Sequence, residues 1–142
     1  MKNKKIKIIS YGIILLVVIL VFGILLENNH NMNQWHDSIN NITQTKDQIE
    51  QIQIIQFTPS SETRFNVERE KYDYYISFIK SLEVFPCDNE RLSGTSVCFI
   101  VQYEDKTEFK ALFMGNYVTV NNECFYRIKN YSEVENIFNI II

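Results

Sequence analysis

Nineteen consecutive residues without a charge, Ile8 to Leu26, constrain this chain more than anything else in it. As a helix rising ~1.5 Å per residue they span roughly 28 Å, close to the thickness of a bilayer's hydrocarbon core. A core helix of a water-soluble domain keeps a polar stripe, whereas here only Ser10, Tyr11, Gly12 and Gly23 interrupt the run. A cleavable export signal has a shorter apolar region, about 7–15 residues, followed by a small-x-small site. Ile24-Leu25-Leu26-Glu27 offers nothing small there, and the first cysteine, Cys87, comes far too late for a lipoprotein. Residues 8–26 are therefore expected to be an uncleaved signal-anchor, a transmembrane helix. Lys2, Lys4, Lys5 and Lys7 precede it, and the next cation is Lys46. Lysine-rich flanks stay cytoplasmic, so residues 1–7 are expected inside and residues 27–142 outside the cytoplasm.

Beyond the span the chain is short and acidic. After Leu26 there are ten basic and seventeen acidic side chains, a balance of −7 against −3 for the whole chain. A nucleic acid demands a basic patch, so it is not an expected partner. The expected partners are the membrane, through one span, and a protein at the cell envelope. With 46% hydrophobic residues the chain has enough apolar material for one folded domain after the span.

Residues 27–46 read as a polar, Asn-rich stalk, either a loose tether or a frayed helix rooted in the membrane. Trp35 within it is expected to lie at the bilayer interface. The domain proper is expected over residues 47–142. Gln51–Phe57 alternates as a first strand, Thr58-Pro59-Ser60-Ser61 is a turn cluster, and Thr63–Val67 returns beside the first strand. The period then becomes helical: Tyr72, Tyr75, Ile76, Ile79 and Leu82 form one stripe on a helix over Glu68–Leu82. Glu83–Pro86 is extended chain and Asp88–Ser96 a polar loop. Four strands come next, Val97–Tyr103, Thr107–Met114, Tyr117–Val120 and Cys124–Ile128, separated by the turns Glu104-Asp105-Lys106, Gly115-Asn116 and Asn121-Asn122. Ser132-Glu133-Val134-Glu135 reads as a capping box opening a last helix with Val134, Ile137, Phe138 and Ile141 on its buried side. The expected fold is α+β, in the order β-β-α-β-β-β-β-α, an antiparallel meander with two helices on one face.

The I-x-I strand Ile52–Ile54, the Y-x-D-K hairpin Tyr103–Lys106 and the F-Y-R-I strand Phe125–Ile128 resemble those of small α+β extracytoplasmic domains. Such domains occur in uncharacterised membrane-anchored proteins and lipoproteins of low-GC Gram-positive bacteria. The likeness covers about residues 47–142 and implies a fold and an exterior address, with no activity attached.

Chemistry is sparse. Both histidines, His30 and His36, precede the expected domain, so it has no imidazole for a Ser-His-Asp or Cys-His nucleophile system. The cysteines, Cys87, Cys98 and Cys124, include no C-x-x-C pair, and Gly12, Gly23, Gly94 and Gly115 are too scattered for a phosphate loop. No catalytic residue, metal or cofactor is expected. Asp88, Glu90, Glu104 and Asp105 are the acids that a carboxylate-dependent hydrolase would have to use, and turn residues of this kind are ordinarily solvated. An exterior address permits a disulfide. If the segments around Cys87 and Cys98 form a hairpin, those two sulfurs can bridge, worth about 3 kcal/mol in the chain-entropy model, with Cys124 left over. Three unpaired cysteines are the alternative.

Strand alternation puts Val97, Phe99, Val101, Phe109, Ala111 and Phe113 on a buried face. Ile100, Gln102, Glu108, Lys110 and Leu112 fall on the opposite face, with Phe125, Arg127 and Lys129 joining from the last strand. Such a mixed surface suits a modest protein interface and also describes an ordinary half-solvated sheet. The function expected is a non-catalytic, membrane-anchored interaction module; an immunity protein against an exported toxin is the alternative.

Overall fold

Helix α1, Lys2–Gln44, runs without a break from the apolar segment into the body of the domain. The computed structural model describes residues 2–87, 94–121, 124–132 and 134. Residues 27–44, expected to form most of a stalk, are helical throughout. Asparagine is a weak helix former, but Trp35, Ile39 and Ile42 recur at i, i+4 and i+7 and are buried in the core. Packing of that stripe outweighs local propensity. Trp35, expected at the lipid interface, is instead 3% exposed, with its ring 5.2 Å from that of Tyr126.

A tight turn, Lys46–Gln48, leads from α1 into β1, Ile49–Phe57, and β2, Glu62–Asn66, returns antiparallel to it. A 3-10 turn at Arg69–Lys71 opens α2, Tyr72–Ser81. Then come β3, Val84–Pro86; β4, Ser96–Tyr103; β5, Glu108–Met114; β6, Tyr117–Val120; and β7, Cys124–Ile128. All seven strands join one antiparallel sheet in the order β2-β1-β4-β5-β6-β7-β3.

The α+β class, the long apolar N-terminal helix and the β4–β7 meander agree with expectation. Two features differ. Glu83–Pro86 supplies a strand, because Val84 and Pro86 lie inward while Phe85 pairs with Arg127. That places β3 at the sheet edge, where Pro86 costs no inter-strand hydrogen bond. Among the described residues the second helix over the sheet, besides α2, is the C-terminal half of α1. The expected C-terminal helix is described only at its start: the chain is helical at Tyr131 and Ser132, and Val134 is buried. Ile137, Phe138 and Ile141 lie outside the described residues.

The inner face of the sheet carries the core. Ile52 and Ile54 of β1, Phe99 and Val101 of β4, Phe109, Ala111 and Phe113 of β5, and Val118 and Tyr126 pack under the helices. On α2, Tyr72, Ile76, Phe78 and Ile79 are buried. The Phe78 ring lies 6.4 Å from Phe113, and the Tyr72 hydroxyl accepts a 3.3 Å bond from the Ile52 amide. Gly115 (φ 55°) and Asn121 (φ 51°) suit the left-handed conformations they take at the hairpins, and Lys106 (φ 71°) takes one as well. Asn121 adds a side-chain bond, its Oδ1 accepting from the Lys110 amide at 2.9 Å.

The topology separates the two cysteines expected to bridge. Cys87 comes directly after β3, which pairs with β7, so β5, β6 and β7 stand between it and Cys98 on β4. Four inter-strand steps of ~4.8 Å put the two strands about 19 Å apart, far beyond the ~7 Å limit for a disulfide. Cys98 and Cys124 are free thiols. The hairpin assumed from their spacing does not form.

Candidate partner-binding face

On the outer face of the sheet Ile55, Tyr117 and Thr119 are buried and the residues around them are half-buried or exposed, and they fall into rows across the strands. One row runs Ile55, Cys98, Leu112, Thr119, Phe125. On one side of it lie Gln53, Ile100 and Lys110, and beyond them Gln51, Gln102 and Glu108. On the other side lie Phe57, Ser96, Met114, Tyr117, Arg127 and Phe85, in that order across the sheet. The face therefore grades from polar at the β4 C-terminal end to aromatic and apolar at the β4 N-terminal end.

Of the residues singled out from sequence, Ile100, Gln102, Glu108, Lys110 and Leu112 form one cluster on β4 and β5. Phe125 and Arg127 lie two strands away on β7, and Lys129 comes just after that strand. Thr119 and Tyr117 of β6 stand between the groups, so the eight residues make two patches on one face. Alternation on β1 carries a signal that the strand pattern of β4 and β5 alone does not reveal. Gln51, Gln53 and Ile55, with Arg64 of β2, border the same groove as Ile100, Gln102, Glu108 and Lys110, and that groove encloses about 330 Å³.

Its charges are matched locally. Lys110 Nζ meets Glu108 Oε2 at 2.7 Å, and this hydrogen bond holds the ammonium pKa above its usual value. Arg64 Nε donates to Glu62 Oε1, and Gln53 Nε2 donates to Asn66 Oδ1 at 3.0 Å. On the second patch the Arg127 guanidinium sits 5.6 Å from the Tyr117 ring centroid, a cation–π contact, and Lys129 pairs with Glu83 at 3.0 Å. Burial pushes the Cys98 thiol up, which keeps it protonated and a weak nucleophile at neutral pH.

Of the four carboxylates considered for hydrolysis, two are among the described residues. Glu104 and Asp105 are exposed in the β4–β5 turn, where Asp105 Oδ1 accepts from the Thr107 hydroxyl at 2.6 Å and its amide at 2.9 Å. Those bonds, the hydroxyl's first, hold the Asp105 carboxyl below its usual range. Asp88 and Glu90 lie outside the described residues. His30 and His36 are exposed on α1. Among the described residues no three His, Cys, Asp or Glu side chains gather closely enough to hold a metal ion.

The opposite side of β7 fixes α1. Tyr126 donates its hydroxyl to the Asn31 carbonyl at 2.8 Å, and Cys124 Sγ meets Gln34 Oε1 at 2.7 Å. Burial drives the Tyr126 pKa far up, so the hydroxyl remains a donor. A second open cavity of about 610 Å³ lies at the β2 edge, between Phe65 and Val67 on one side and Tyr74 and Tyr75 on the other. No protein-family model, curated protein or solved structure matches the chain.

Proposed function

We propose that this chain is a single-pass membrane protein whose C-terminal domain lies outside the cytoplasm and acts as a non-catalytic binding module for another envelope protein. The observation that carries the reading is one continuous helix, α1, whose first part is apolar on every side and whose second part is built into the domain core. An apolar surface without a polar stripe needs lipid around it, and the lysines ahead of it orient the domain outward. The binding surface is the groove on β1, β4 and β5, where Gln51, Gln53, Gln102, Lys110 and Glu108 surround Ile100. Amide donors and acceptors around one aliphatic side chain suit a polar protein segment laid across the strands.

A photo-crosslinking residue at Ile100, in cells carrying the full chain, tests this. A discrete adduct that is absent from the same probe at Ser60 and weakened by Lys110→Glu is the expected result. Adducts equal at both positions and unchanged by Lys110→Glu would overturn the binding assignment.

A further inference from the structure

Where α1 meets the domain determines which part of the sheet stands next to the bilayer. Its contacts move in order as it leaves the span. Asn31 and Trp35 touch Tyr126 of β7. Gln34, Asp37 and Ser38 then border Val120, Asn121 and Cys124 at the far end of the β6–β7 hairpin. The helix ends at the turn that leads into β1, where the Gln48 carbonyl accepts from the Glu104 amide beyond β4. Helix α1 therefore crosses the inner face diagonally, rising from β7 towards the centre of the sheet and from the C-terminal end of β7 towards its N-terminal end. Traced back towards the span, the same line runs to β3, which α1 also contacts.

The spacing along the helix is short. Asn31 lies five residues beyond Leu26, ~7.5 Å along the axis. A headgroup layer is about 5–8 Å deep on each side of the hydrocarbon core, so a span ending at Leu26 puts the Tyr126 part of β7 at headgroup level. The corner formed by β3 and the end of β7 is the lowest point of the sheet. That corner carries Phe85, which is 43% exposed and, with Tyr74, one of two exposed large hydrophobic residues among those described outside the apolar segment. Arg127 is its cross-strand neighbour. Lys129 is beside it and is balanced by Glu83.

We infer that this corner is a lipid contact: Phe85 inserts at the headgroup boundary of the membrane that holds the span, and Arg127 faces the lipid phosphates. An aromatic side chain with an adjacent guanidinium is the pairing that membrane interfaces favour. The domain then stands on its β3 edge. Six inter-strand steps of ~4.8 Å place β2, with Tyr74 beside it, about 29 Å further across the sheet. The polar groove stays clear of lipid, and Phe125 and Arg127 belong to the lipid-side patch rather than to the protein-binding one. This rests on the membrane reading under Proposed function.

The full chain reconstituted in vesicles containing phosphatidylglycerol, with bromine atoms carried at known depths on the lipid, tests the seating. Three variants are compared after subtraction of the native Trp35 signal: Phe85→Trp, Tyr74→Trp and Phe22→Trp. Near-UV circular dichroism confirms that each is folded. Phe22→Trp quenched by deep bromines reports an inserted span. Phe85→Trp quenched at least twofold more than Tyr74→Trp by shallow bromines is the expected result. Phe85→Trp escaping quenching, or Tyr74→Trp quenched equally, overturns the edge-on seating while an inserted span stands. If Phe22→Trp also escapes, the anchor itself is removed and the lipid contact with it.

Discussion

The two halves of α1 have the same backbone and opposite surroundings. From Ile13 to Leu26 the large apolar side chains are between 51% and 63% exposed, the exposure of a helix that touches no other part of the protein. From Asn31 to Ile42 the surface is polar except for Met32 and for Trp35, Ile39 and Ile42, and those last three are buried against the sheet. The first half has no preferred side, and the second has one and uses it. Helicity thus has two supports in one element: in the first half every apolar residue favours lipid, and in the second a three-residue stripe is held by tertiary contact.

Three substitutions sharpen that contrast. The largest effect belongs to Trp35→Ala, which opens a cavity beside Tyr126 and should lower domain stability by about 3–5 kcal/mol. Urea unfolding of the detergent-solubilised chain, monitored by circular dichroism, measures it; a loss under about 1 kcal/mol would mean that the second half is not part of the core. Val17→Arg, at the middle of the apolar half, should cost about 2.5–3.5 kcal/mol in membrane insertion and leave domain unfolding unchanged. An insertion assay and the same urea titration separate the two. The smallest effect is that of Tyr126→Phe, which removes the bond to the Asn31 carbonyl and should cost about 1 kcal/mol. Hydrogen exchange at the amides of residues 31–36 should then quicken more than exchange at β4.

Much of the sheet was legible because its alternation is strict. Val97, Phe99, Val101 and Tyr103 are all buried, and Cys98, Ile100 and Gln102 between them are not. The C-terminal half of α1 was not legible for a physical reason. Three apolar residues among asparagines are too few to mark a helix face until a sheet is there to receive them. The β3–β7 pairing was equally hidden, since a three-residue strand ending in proline has almost no local signature. That pairing alone decides whether Cys87 and Cys98 can meet. The candidate groove was half visible: β4 and β5 supplied their share from periodicity, whereas adding β1 and β2 required knowing that β1 lies beside β4.

The Tyr126–Asn31 bond joins residues 95 positions apart, and Cys124–Gln34 joins residues 90 apart. At ~5–20 residues per second of synthesis, the C-terminal half of α1 waits roughly 5–20 s for the strand that covers it. During that interval Trp35, Ile39 and Ile42 are an amphipathic stripe with no sheet to bury them. The two bonds that tie this half of α1 to the sheet therefore form only after β7 has been made. A ribosome stalled before β7 would leave a chain whose first helix carries that stripe uncovered.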